Sequence, residues 1–282
     1  LAEKLYQRVG TKIFFMASSV EYLYTAKLGM TTISTANPNL NGTGALGSVI
    51  TGSSNGTYIK SLFIKAQTDT AHGMLRFFVL RPSGSISLLF ETTIPATRRS
   101  GRDLSYSNII HLNYTLESGE TLQVSTERAN TFNIIAEAFD ISLSTTTTFI
   151  GNSVEYIARS GSGTINTANP NIDGTGALRE VYTGASSSFN GSLISSLTIK
   201  AQQTVNSGIV RLFFSGMAGS PPVLFYELFI PPKVQNATSQ SFSFQILAQG
   251  GLCIPTGSSI LASTERADTF DLVAEGSDWR NV

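Results

Sequence analysis

Apolar residues in this chain fall in short runs, cut by Gly, Pro, Asn and Ser, and no stretch keeps a helical period. From Thr57 to Ala66, Ile59, Ser61, Phe63 and Lys65 share one face of an extended strand. Tyr58, Lys60, Leu62, Ile64 and Ala66 share the other, so both faces are mixed. Gly73 opens the apolar run Met74 to Leu80, which Arg81-Pro82-Ser83-Gly84 stops, and Ile86 to Ile94 ends at Pro95. Further strands are expected at 104–114, 121–126 and 132–139, with 31–35 and 45–51 flanking an Asn-Pro-Asn turn. That is about eight strands before residue 141.

The same pattern is then written again. Ser19-Val20-Glu21-Tyr22 returns as Ser153-Val154-Glu155-Tyr156, and Thr35-Ala36-Asn37-Pro38-Asn39 as Thr167-Ala168-Asn169-Pro170-Asn171. Gly42-Thr43-Gly44-Ala45-Leu46 returns as Gly174-Thr175-Gly176-Ala177-Leu178, and Ser125-Thr126-Glu127-Arg128-Ala129 as Ser263-Thr264-Glu265-Arg266-Ala267. The offset grows from 132 at Ile33/Ile165 to 138 at Phe132/Phe270, so the extra residues enter between motifs, where loops accept them cheaply. Solenoid units are about 20–50 residues long, so this period means a duplicated domain. The expected organisation is an N-terminal arm (1–18), a first copy (19–141), a polar linker (142–151) and a second copy (152–282). The fold class is all-β: two tandem, similar, antiparallel β-sandwich domains of jelly-roll-like type, with an immunoglobulin-like sandwich as the alternative.

Charge narrows the function classes. The chain has 19 Lys and Arg against 19 Asp and Glu, and only 13% of its residues are charged. No net field attracts nucleic acid, and a nucleic-acid partner is not expected. No apolar run approaches the ~18 residues of a membrane span, so no membrane partner is expected. Cys253 is the single cysteine, which excludes an intrachain disulfide and fits a small buried hydrophobe.

Candidate chemistry is sparse. His72 and His111 are the two histidines, and neither recurs in the other copy, as a positioned base would need to if the duplicated fold carried catalysis. The carboxylates that recur are Glu21 with Glu155, Glu127 with Glu265, and Glu137 with Glu275. Paired carboxylates serve glycoside hydrolysis, yet Glu127 adjoins Arg128 and Glu265 adjoins Arg266, which fits solvated or cross-strand ion pairs. Asn37-Pro38-Asn39-Leu40-Asn41-Gly42 and Asn169-Pro170-Asn171-Ile172-Asp173-Gly174 space their oxygen-bearing residues like a calcium loop, and Glu180 stands at position 12 of the second. With almost no negative charge, these loops fit a turn held by Asn side chains better than a cation cage. No metal, cofactor or catalytic residue is therefore expected, and the chain is expected not to be an enzyme. Aromatic residues lie within strand runs, where core packing is their default role, and no exposed row of them stands out. The arm is the segment without a twin. Its Leu5, Tyr6, Ile13, Phe14 and Phe15 are the candidate partner-binding residues, anchoring it on a neighbouring subunit or partner.

The blocks Ile-Asn-Thr-Ala-Asn-Pro-Asn (165–171), Gly-Ile-Val-Arg-Leu-Phe-Phe (208–214) and Ala-Ser-Thr-Glu-Arg-Ala-Asp-Thr-Phe (262–270) resemble a family of short bacteriophage virion proteins. Gly73-Met74-Leu75-Arg76-Phe77-Phe78 in the first copy is similar to the same pattern. The resemblance implies a capsid decoration (cement) protein on the virion surface. Its implied partners are the major capsid protein or neighbouring copies of itself, as a homo-oligomer or bound to the lattice. It brings no catalytic residues. A double jelly-roll major capsid protein and a carbohydrate- or receptor-binding module are the alternatives.

Overall fold

The computed structural model describes residues 21–99, 103–144, 154–216, 221–235 and 240–281. The first copy holds β1 (Glu21–Ile33), β2 (Gly47–Thr51), β3 (Thr57–Ala66), β4 (Gly73–Leu80), β5 (Ile86–Ile94), β6 (Ser107–Leu116), β7 (Thr121–Thr126) and β8 (Phe132–Ser144). The second holds β9 (Val154–Ile165), β10 (Arg179–Thr183), β11 (Gly191–Ala201), β12 (Gly208–Ser215), β13 (Val223–Ile230), β14 (Ser243–Ile254), β15 (Ser259–Thr264) and β16 (Phe270–Asn281).

The sheets run β1-β8-β3-β6 and β2-β7-β4-β5 in the first copy, and β9-β16-β11-β14 and β10-β15-β12-β13 in the second. The two copies have identical strand order, and it is that of an eight-stranded jelly roll, with every strand pair antiparallel. The immunoglobulin-like alternative is thereby removed. Inward-facing residues of the two sheets fill each core, around Phe77 and Phe132 in the first copy and around Phe214 and Phe270 in the second.

Two features depart from the expected strands. β1 starts well before residue 31 and runs for 13 residues beside β8. Its run of Thr, Lys and Gly conceals it, but Gly29 is needed there, because a Cβ would sit 2.4 Å from Ile50 of the facing sheet. Gly161 answers it in β9, 2.4 Å from the carbonyl of Val181. A bulge between Ile59 and Ser61 then flips the face of the residues that follow in β3, and its twin lies between Ile194 and Ser196. Ile59, Leu62, Ile64 and Ala66 therefore all reach the core, while Ser61, Phe63 and Lys65 face outward. The mixed pattern is two clean faces joined by a bulge.

Register also corrects the match between the two Ser-Val-Glu-Tyr blocks. Tyr24 pairs with Ile141 and Tyr156 with Trp279, the equivalent ladder positions, whereas Tyr22 lies opposite Leu143. The structural twin of Tyr156 is Tyr24.

Candidate functional site: the seam between the two sandwiches

The outward face of β1, β8 and β3 carries Leu28, Met30, Phe63 and Ile135, residues that would be exposed on an isolated sandwich. It is laid against the second sandwich at β13 and β14, the edge strands of that sandwich's two sheets. Leu28 and Ile135 join the apolar core of the second copy, with Met30 and Phe63 packed against it. The Phe63 ring meets Phe214 and Phe225 edge-on, with centroids 6.5 and 6.3 Å away. Polar groups across the seam are paired as well. Asn133 Nδ2 donates to the Leu224 carbonyl at 3.2 Å, the Cys253 N–H donates to Glu137 at 2.9 Å, and the Ala26 N–H donates to the Asn190 carbonyl at 2.9 Å.

Charge is concentrated at one carboxylate. Glu227 of β13 is fully buried and receives Lys65 Nζ at 2.9 Å, Arg211 Nε at 3.1 Å, Arg99 Nη2 at 3.4 Å and Ser105 Oγ at 2.7 Å. Lys65, Arg99 and Ser105 belong to the first copy and Arg211 to the second, so one side chain joins the two. Burial pushes the Glu227 carboxyl upward, but Lys65, Ser105 and Arg99 outweigh it and hold it below the usual range. Burial wins at Lys65, whose ammonium is held below its ordinary value despite Glu227. Arg211 Nη2 is buried without a hydrogen-bond partner and lies 3.8 Å from Glu265.

Among the described residues, two chiefly apolar cavities open along the seam. One, of 310 Å³, runs from His111, Lys60 and Ile109 toward Leu212 and Ile260 in the second core. The other is a cleft of 470 Å³, whose wall brings together Tyr24, Tyr58 and Phe139 from the first copy with Tyr156 and Trp279 from the second. No such row stands out in the sequence; of these rings Tyr24 and Tyr156 are exposed, Tyr58 and Phe139 are partly buried and Trp279 is buried. The rings lie far apart in sequence, and only the packing of one sandwich on the other collects them.

The other sequence candidates are dispersed. Leu5, Tyr6, Ile13, Phe14 and Phe15 lie outside the described residues. His72 sits on an exposed turn and His111 at the cavity mouth, apart from each other. Cys253 is buried and burial pushes its thiol far up, as expected for a small hydrophobe. Glu155 pairs with Arg280 and Glu265 with Arg211 rather than Arg266, while Glu137 is enclosed at the seam by Lys60, Ser61 and Cys253.

In the Asn-Pro-Asn loops, Asn37 Nδ2 donates to the carbonyls of Thr43 and Ala45, and its Oδ1 accepts from the Asn39 N–H. Asn169 repeats all three bonds with Thr175, Ala177 and Asn171. Asp173 accepts twice from Thr175, which holds its carboxyl below the usual range, and Glu180 accepts from Thr183 and Ser259. The side-chain oxygens of Asn37, Asn41, Asn169 and Asp173 are engaged in turn bonds, and Asn39 and Asn171 are held through their Nδ2 groups. Among the described residues no group of three or more His, Cys, Asp or Glu is placed to hold a metal ion.

No family model matches the chain, and no curated protein matches it. Solved structures similar to it include the N-terminal CBM22-1-CBM22-2 tandem domain from Paenibacillus barcinonensis Xyn10C, at 11% identity and a TM-score of 0.24, covering 91% of this chain and 92% of that one. The major capsid protein P2 from Bacteriophage PM2 is similar at 11% identity and a TM-score of 0.20, covering 90% and 98%. The STIV MCP is similar at 8% identity and a TM-score of 0.24, covering 90% and 97%. Likeness at this level carries no information on ligand or role.

Proposed function

We propose that this chain is a virion structural protein, a decoration protein that binds the outer shell of a phage head through protein–protein contacts and has no catalytic role. The observation that supports it most is an edge used in one copy and open in the other. In the second sandwich, Arg211 lies opposite Glu227 and Phe213 opposite Leu224; both β13 residues are buried, Glu227 by Lys65, Arg99 and Ser105 of the first sandwich, and Asn133 of that sandwich bonds the Leu224 carbonyl. In the first, Arg76 lies opposite Glu91 and Phe78 opposite Leu88, the same construction. Here Leu88 is 40% exposed and the Glu91 side chain 32% exposed, with Leu89, Phe90, Leu112 and Tyr114 only partly buried behind them. An edge of this kind accepts a sheet face bearing apolar residues and a cation, as β13 accepts Lys65. On this reading a shell subunit supplies that face, and the resemblance in the blocks 165–171, 208–214 and 262–270 points to the same setting.

The experiment is purification of particles from the phage that encodes the chain, followed by electron microscopy. The protein is expected on the outside of a shell that is complete without it, and Leu88→Asp is expected to abolish attachment while the isolated protein stays folded. A shell built from trimers of this chain would instead make it a double jelly-roll capsid protein. Particles lacking the chain altogether would overturn the virion reading.

A further inference from the structure

The aromatic cleft has the chemistry of a saccharide site. Tyr24 is 44% and Tyr156 60% exposed, and as structural twins they enter the cleft from equivalent strands of the two copies. Behind them Tyr58 stacks on Phe139 with centroids 6.5 Å apart, and Phe139 lies 6.3 Å from Trp279. Phe139, Trp279 and Leu193 belong with Ala26 and Cys253 to the apolar cluster of the seam, so the cleft is continuous with that interface and has a rigid floor.

Its polar groups are neutral or already neutralised. Lys60 is engaged by Glu137 at 3.1 Å and by the Gly251 carbonyl at 2.6 Å. Thr115 and Asn281 complete the polar lining among the described residues. Tyr58 donates its hydroxyl to Asn113 Oδ1 at 2.7 Å. Asn113 has φ of 50°, the one non-glycine among the described residues in the left-handed region, a local cost of the kind that gathers at binding sites. Rings that offer flat apolar faces, beside hydroxyl and amide groups without net charge, match a ligand with apolar faces and hydroxyl edges. Among the described lining residues the charged group, Lys60, already has Glu137 as its partner, and the hydroxyls of Tyr24, Tyr156 and Thr115 favour a ligand with hydroxyl edges over a purely apolar one.

We propose that this cleft binds a neutral saccharide, about one to two sugar rings held between Tyr24 and Tyr156. The cleft and the proposed attachment edge use different residues, since shell attachment on the reading above uses Leu88 and Glu91 of β5. Both copies contribute a wall, so neither sandwich alone forms it.

Trp279 is the only tryptophan of the chain, and its emission reports the cleft floor directly. The full-length protein is titrated with neutral oligosaccharides (cello-, xylo-, manno- and chito-hexaose) while Trp279 fluorescence is followed, and a glycan array widens the search. At least one neutral saccharide is expected to shift the emission saturably. Tyr156→Ala is expected to weaken that binding about tenfold or more with the melting temperature unchanged, and Tyr156→Phe to retain most of it. Failure of every saccharide, on the titration and on the array, with the full-length chain and the 1–15 deletion alike, would overturn the site. So would binding that survives in Tyr24→Ala/Tyr156→Ala, since it would place the ligand elsewhere. A 1–15 deletion run in parallel separates intrinsic weakness from competition: a saccharide bound only by the deleted chain supports the site and identifies the arm as its competitor.

Discussion

The sequence Asn133-Ile134-Ile135-Ala136-Glu137 in β8 and its twin Asp271-Leu272-Val273-Ala274-Glu275 in β16 keep apolar inward residues, Ile134 and Ala136 against Leu272 and Ala274, and live in different surroundings. Ile135 and Glu137 are buried at the seam, whereas Val273 is 37% exposed and Glu275 faces solvent. Leu28, Met30 and Phe63 flank the first strand, and Ser160, Ser162 and Thr198 hold the equivalent ladder positions beside the second. Lys65 is buried against Glu227, while its twin Lys200 is exposed. Duplication therefore preserved the inside of the fold, and divergence acted on one outer face and the edge that receives it. The difference between the copies lies in which outer face and which edge are covered.

That contrast can be broken most directly at its charge. Glu227→Ala leaves Lys65 and Arg211 buried without their carboxylate and is expected to cost about 3–5 kcal/mol in urea unfolding. Glu91→Ala, the same change at the open edge, takes the carboxylate from a buried Arg76 but leaves a site that water can enter, and is expected to cost less, about 1–2 kcal/mol. Equal effects would mean that the seam does not form in solution. Next in size, Ile135→Ala is expected to lose about 2–4 kcal/mol by leaving a cavity at the seam. Val273→Ala is expected to change stability by less than about 1 kcal/mol.

Acid sharpens the same comparison. A carboxyl held below its unfolded value contributes stability that is present above about pH 4.5 and disappears as pH falls through the lowered folded value. Acid titration of stability is expected to show this loss in the natural chain, and Glu227→Gln is expected to remove that part of the pH dependence. The smallest expected effect is none: calcium added to either Asn-Pro-Asn loop should leave the melting temperature unmoved, equally in both copies. A rise with calcium would show that the turn bonds of Asn37 and Asn169 yield to a cation.

Much of the fold is written locally. Period-two runs and their Gly, Pro and Asn stops mark eight strands per copy, and the repeated blocks mark the duplication. β1 escapes because Thr25, Lys27 and Gly29 weaken its apolar alternation, and Gly29 is set by the facing sheet rather than by its own strand. The bulge at Lys60 is hidden for a related reason, since one extra residue exchanges faces without any special residue to announce it. The seam is harder still. Lys65 and Glu227 are distant in the chain, and a buried lysine reads as an ordinary exposed one until its partner is known. One signal was available: where aligned outward positions change from Leu28, Met30 and Phe63 to Ser160, Ser162 and Thr198, one copy has a covered face and the other an open one. The aromatic cleft offered no comparable cue, because its five rings come from β1, β3, β8, β9 and β16.

The hydroxyl-lined outer face of β9, β16 and β11 has a consequence for assembly. A chain whose second sandwich still carried the apolar face would present it to the vacant β5 edge of another molecule, and that molecule would repeat the offer. Such a head-to-tail contact does not close on itself and grows into a filament. On the proposed reading, serine and threonine at these positions of the second copy remove that one self-contact and leave the β5 edge to a shell subunit.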